Sequence, residues 1–218
     1  MTEQTSFDFT TLMTPVFTFD EATHTYTLDG QKIPSVTQLI SIMGDDPQEF
    51  DELLDTAFGN AAERGTVLHG YLAWRFSGGA PEDYEMPDAY CGYADAVDLF
   101  IDEHTFEPVI IEDMFYATEQ RVTFAGTPDY FGGFDGKDAI IDYKFVAQVN
   151  KAKVSAQLNG YASLLAANHV AVEAMYAVQF MKDGTYRLYP VKDKPETFSI
   201  CLDVYRMAHR EHPRGRIE

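Results

Sequence analysis

Cysteine is scarce and scattered. The 218 residues hold two, Cys91 and Cys201, with no CxxC pair and no set of four. That argues against a disulfide framework, a cysteine zinc site or an iron–sulfur cluster, and points to a reducing, cytoplasmic setting. Long apolar runs are missing too. None exceeds about seven residues, far short of the ~20 that a membrane span needs, so no membrane partner is expected. Residues 1–7 are polar and acidic, so no secretion signal is expected either. Basic residues are nearly absent from the first half. Residues 1–120 carry 3 Lys/Arg against 24 Asp/Glu, whereas residues 121–218 carry 13 against 11. The net charge of −19 argues against a broad nucleic-acid-binding surface. Two accounts of the asymmetry stay open. Acidic faces are common in soluble proteins; alternatively, the acidic half repels a polyanion until it finds a narrow basic path.

What remains is an ordinary globular composition, 45% hydrophobic, without repeats, low-complexity tracts or linkers. The length suits one well-cored α/β domain over residues 1–218. Residues 1–45 read as an N-terminal arm and β-hairpin, and residues 46–218 as the core. Alternation over 17–28, with the Asp29-Gly30 turn signal and residues 31–33, predicts a hairpin or meander. Ser35 is a plausible N-cap for a short helix over 36–43. Apolar intervals of three and four predict a helical region over 51–76, with a break near Arg64-Gly65-Thr66. A second helix is expected over 87–103 and a strand over 108–117, with a turn at 118–120. Further on come a helix over 150–167, a hairpin over 175–191 and a closing helix over 195–209. The tail, with Arg206, Arg210, Arg214 and Arg216, is basic.

The stretch 121–145 carries the chemistry. It reads as a strand over 122–131, turn residues over 132–137 with Asp135-Gly136 as the hairpin signal, and a strand over 139–145. Asp142 and Lys144 are two residues apart, so on a strand they share a face. Asp129 lies at the far end of the partner strand, where pairing could bring it near Asp142. Two carboxylates and a lysine at one sheet edge suit a hard divalent cation and a phosphate. Asp135 and Asp138 read as turn residues. Asp142 does not, because aspartate inside Ile-Ile-Asp-Tyr is disfavoured in a strand and a buried charge needs a partner.

The order of motifs resembles the PD-(D/E)xK nuclease superfamily in its RecB-like, phage-type exonuclease branch. Gly126-Thr127-Pro128-Asp129 followed by Asp142-Tyr143-Lys144 is similar to that family's G-x-x-D and (D/E)-x-K signature. Arg64-Gly65-Thr66-Val67-Leu68-His69 upstream resembles its R-G-T-x-x-H segment, and Gln157 to Tyr161 downstream its Q-x-x-x-Y segment. The resemblance covers roughly residues 60–165, and the opening with Ile33-Pro34-Ser35-Val36-Thr37 also resembles phage members.

The resemblance implies a restriction-endonuclease-like core, a mixed central sheet flanked by helices, with residues 46–218 as the catalytic core. It implies Asp129, Asp142 and Lys144 as catalytic residues. Mg²⁺ or Mn²⁺ would be held by Asp129, Asp142, the backbone carbonyl of Tyr143 and His69. Glu112 would assist, or would be an outward-facing edge carboxylate. On its own, His69 would read as a helix-face histidine. The family's usual glutamate a turn after the histidine is missing, since those positions are Tyr71, Leu72 and Ala73. Gln157 and Tyr161 share a helix face. They would line the cleft and contact DNA or brace the site; without the family, Tyr161 is core and Gln157 its solvated neighbour. Lys151, Lys153 and Arg64 are further candidate DNA contacts.

The expected function is a metal-dependent DNA exonuclease in phage or prophage recombination or repair, inside a bacterial host cell. A single-strand annealing protein is the implied protein partner, and a homo-oligomer is compatible with the family. An endonuclease on the same site is an alternative. So is a nuclease-fold protein that acts by binding through its acidic face.

Overall fold

The computed structural model describes residues 15–44 and 61–209. Most of the expected N-terminal arm, residues 51–60 of the helical region expected over 51–76, and Arg210, Arg214 and Arg216 of the tail lie outside the described residues. Three short strands open the chain: β1 Phe17–Asp20, β2 Thr25–Leu28 and β3 Gln31–Ile33. They pair as an antiparallel meander. Ser35 then caps helix α1, Val36–Ile40, with the reciprocal Ser35–Gln38 bonds of a capping box, and a 3₁₀ turn follows over Ser41–Met43.

Helix α2, Ala61–Phe76, runs unbroken through Gly65, so the break expected near Arg64-Gly65-Thr66 is not there. A single interior glycine costs a helix only about 1 kcal/mol. Tertiary packing outweighs that here, with Leu68, Tyr71 and Leu72 buried. A 3₁₀ turn at Asp88–Tyr90 leads into α3, Cys91–Glu103. Next come β4 Phe106–Ile111, β5 Phe115–Glu119, β6 Val122–Gly126, β7 Tyr130–Phe134 and β8 Lys137–Lys144. Helix α4, Lys151–Ala167, β9 Ala174–Phe180, β10 Tyr186–Val191 and α5, Glu196–Ala208, complete the order.

Two strands expected as continuous are each split. The 122–131 run breaks at Thr127-Pro128-Asp129, because proline has no N–H for the ladder. The 108–117 run breaks at Glu112, whose backbone is left-handed, φ 51°. As a result β5 and β6 form their own two-stranded sheet, closed by a two-residue turn at Gln120-Arg121, both with positive φ. Gly132 and Gly133, expected in a turn, lie inside β7, and only Asp135-Gly136 turns, again with both φ positive. That is the geometry of a type I′ hairpin.

The main sheet has the order β10-β9-β8-β7-β4. β8 and β9 are parallel, joined across α4, and the other pairs are antiparallel. Strand β8 is therefore central and covered on both faces, which is why residues 139–143 are all buried rather than alternating. Ile140 packs with α1, α4 and α5 on one side, and Ile141 and Tyr143 pack with α2 and α3 on the other. The result is a mixed α/β fold with a mixed central sheet flanked by helices and an antiparallel strand group at the N-terminus. Among the described residues no helix is long and apolar enough to cross a membrane.

Candidate functional site

The ends of β4 and β8 and the start of β7 meet at one end of the strands of the sheet. Tyr130 of β7 stands opposite Ile141 of β8, so the next step of the register sets Asp129 against Asp142. Asp129 precedes the first residue of β7, just past Pro128. Its Oδ2 accepts the backbone N–H of Tyr143 at 2.8 Å, which fixes the carboxylate beside the end of β8.

Asp142 sits in the middle strand of the sheet and is 1% exposed. Both of its oxygens lie against the Lys144 ammonium, Oδ1 at 3.0 Å in an aligned hydrogen bond and Oδ2 at 2.8 Å in a charge contact. Oδ2 is buried and accepts no aligned hydrogen bond. The same ammonium donates to Gln157 Oε1 at 2.9 Å, and Gln157 Nε2 donates to the Tyr161 hydroxyl at 3.1 Å. A chain of four side chains thus runs from the central strand onto one face of α4. Gln157 and Tyr161 turn inward to brace Lys144. Gly126 makes room for this: a Cβ there would lie 2.9 Å from both Tyr161 Cε1 and Leu164 Cδ1.

His69 comes from α2 on the opposite face, its ring edge-on to Tyr143 and Phe145. Its Nδ1 lies 3.3 Å from Glu112 Oε1 and 3.7 Å from Asp129 Oδ1. Glu112 reaches this point from its left-handed position right after β4, where its N–H bonds to Asp129 O at 3.3 Å. A left-handed backbone at a residue other than glycine costs about 1–2 kcal/mol, and such strain tends to collect at functional sites.

The electrostatics follow from burial and like charge. Burial, reinforced by the neighbouring Asp142 carboxylate, pushes the Asp129 carboxyl up to about 6, against the pull of His69, Lys144 and the Tyr143 N–H. Burial lowers the pKa of His69, but the Asp129 and Glu112 carboxylates outweigh it and raise the imidazole above its ordinary value. The same contest at Lys144, burial against Asp142 and Asp129, leaves its ammonium favoured. Burial raises the phenols of Tyr143 and Tyr161, and the two aspartates add to it. The Tyr143 hydroxyl is buried without a hydrogen-bond partner among the described residues.

The remaining candidates are more dispersed. Arg64 donates from Nε to Phe145 O at 3.0 Å and lies over the Tyr93 ring, so it ties α2 to the end of β8 rather than projecting into solvent. Lys151 is exposed, with its ammonium 5.4 Å from the Tyr189 ring centre. Lys153 is half-buried one turn before Gln157. Sequence reasoning missed Gln179, a buried amide of β9 paired with Lys144 in register. Its Nε2 donates at 2.8 Å to both Val146 O and Ala147 O, holding the loop between β8 and α4. The available signal was a glutamine inside the apolar run Ala-Val-Gln-Phe, the same kind of exception as Asp142.

Among the described residues no group of three or more His, Cys, Asp or Glu side chains is arranged to hold a metal ion as it stands. Asp142 lies on Lys144, while His69 lies on Glu112 and Asp129. The donor chemistry nonetheless suits a hard or borderline divalent cation: three carboxylates and an imidazole near one end of the strands, with Asp142 Oδ2 held only by its charge contact with Lys144.

No protein-family model matches the chain, and no curated protein matches it. Among solved structures, the crystal structure of SSO0001 is similar, with a TM-score of 0.47 and 14% identity over 80% of this chain and 75% of that one.

Proposed function

We propose that the chain is a metal-dependent deoxyribonuclease with a restriction-endonuclease-like core, acting as an exonuclease in DNA recombination or repair. One observation carries the reading. An acid buried in the central strand, Asp142, is paired to Lys144 while Asp129 is tied to the intervening Tyr143 N–H. A buried ion pair of this kind contributes little net stability compared with apolar residues of the same volume, so a stability role alone accounts for it poorly.

Asp129, Asp142, His69 and Glu112, with the Tyr143 carbonyl, are the residues that would hold Mg²⁺ or Mn²⁺. The ion, when bound, would supply Lewis acidity and make a bound water a better proton donor, and so a better source of the attacking nucleophile. Lys144 offers a positive charge where negative charge grows on the phosphate oxygens during hydrolysis. Gln157 and Tyr161 hold that ammonium in place, so its charge need not reorganise as the reaction proceeds. Arg64 and Gln179 fix the end of β8 and the loop beyond it, which holds the strand end that carries Lys144 in place.

The test is incubation of purified protein with end-labelled linear duplex DNA, with Mg²⁺ or Mn²⁺ and with EDTA. Release of label that needs the metal supports the reading; no release with either metal removes it. A covalently closed circle decides the mode, since an exonuclease leaves it intact and an endonuclease opens it.

A further inference from the structure

A second feature lies next to the site, on the α4 side of the sheet. A cavity of about 580 Å³ opens between the first turn of α4, strand β10 and the loop leading into α5. Its floor is apolar, with Val149, Tyr189 and Val191 partly exposed above the buried Val154 and Ala177, and its rim carries Lys151, Lys192 and Lys194. No carboxylate is among the described residues lining it. In a chain with 35 acidic residues against 16 basic ones, a cavity with three lysines and no acid is selective for anions.

Two of these lysines, Lys192 and Lys194, are placed there by a buried amide. Asn159 of α4 is 3% exposed, its Oδ1 accepts Lys194 N–H at 2.8 Å, and its Nδ2 donates to Lys192 O at 3.3 Å. These bonds fix the backbone on either side of Asp193, so Lys192 and Lys194 line this cavity while Asp193 lines another. The cavity lies one strand away from the Asp142 carboxylate, because Ala177 of β9, buried beneath its floor, stands beside Asp142 of β8 in the parallel register.

We infer that this cavity takes one strand of the nucleic-acid substrate, its phosphates on Lys151, Lys192 and Lys194 and a base against the apolar floor, next to Asp142 and Lys144. The identity of the polyanion rests on the nuclease reading; the single-stranded form comes from the cavity itself. Its volume is that of a small-molecule pocket, room for a base and its phosphate but not for the cross-section of a duplex.

The experiment is fluorescence anisotropy of a short labelled oligothymidylate with the full chain in EDTA, so that binding is read without hydrolysis. The variant is Lys192→Gln/Lys194→Gln, both exposed positions, with circular dichroism to confirm the fold. Each phosphate contact to a single strand contributes about 0.7 to the slope of log affinity against log salt, so the double variant should lose about 1.4 of that slope. Between about 50 and 200 mM salt, the wild-type affinity should therefore fall about sevenfold more than the variant's. An unchanged slope, or no binding by the wild type, overturns the inference. So does equal, lysine-dependent binding of thymidine monophosphate, which would make the occupant a free nucleotide. Lysine-dependent binding without metal-dependent cleavage keeps this inference and sinks the nuclease reading; cleavage with an unchanged salt slope does the reverse.

Discussion

The Lys144 ammonium donates to Gln157 Oε1 at 2.9 Å while it pairs with Asp142. The contact spans the gap between the central strand and α4 and defines where the positive charge sits. Gln157→Ala removes an acceptor without touching a carboxylate. On the nuclease reading it should lower kcat about 10- to 100-fold, the size of effect seen when a partner that orients a site group is lost, with little change in KM. Steady-state cleavage kinetics check this, and Gln157→Glu, which restores an acceptor, should recover part of the loss.

Asp142 and Lys144 should separate activity from stability. Asp142→Ala leaves Lys144 without its main partner. It should cost about 3 kcal/mol, the low end for breaking a buried pair, because Lys144 keeps some exposure. Asp142 is buried in the central strand, so stability goes together with activity. The double variant Asp142→Ala/Lys144→Met should regain most of that stability and none of the activity. Urea denaturation beside a cleavage assay reads both.

Gly126→Ala places a methyl group against Tyr161 and Leu164 at 2.9 Å. Overpacking of that kind costs about 1–3 kcal/mol. Thermal unfolding should show the loss, and cleavage should also weaken, because Tyr161 is the last member of the chain that braces Lys144.

Much of this site was legible because charge in the wrong place is conspicuous. Asp142 stands out in an apolar run, and the two-residue spacing to Lys144 predicts a shared face. The apolar face expected for the 150–167 helix is buried as Val154, Leu158, Tyr161, Leu164 and Leu165. The strand breaks were less legible. Pro128 could have signalled one, but Glu112 is not a residue type that favours a left-handed backbone, and its position follows from the tertiary fold. Asn159 was hidden for a related reason. A polar residue on a helix usually faces water, and only the β10–α5 loop folding back over α4 makes it a buried clamp.

Asp135 gives a pH prediction away from the site. The Thr105 N–H holds its carboxyl below the usual carboxylate range, against a smaller opposing effect of burial, and His104 adds to the depression. The folded pKa lies below the unfolded one, so the stabilisation is fully present above about pH 4 and is lost as pH falls through the folded value. Asp135→Asn keeps a residue that tolerates the left-handed backbone here and removes the titration. Denaturant midpoints measured from pH 5 down to acid should fall less steeply in the variant than in the wild type, by a modest amount because the side chain is half exposed.

The central claim is that Asp129 and Asp142 together grip a divalent cation beside Lys144. Calorimetric titration of Mn²⁺ into the wild-type chain and into Asp129→Asn/Asp142→Asn addresses it directly. The account predicts saturable binding by the wild type and its loss in the folded double variant. Equal Mn²⁺ binding by both proteins, or none by the wild type, would contradict it.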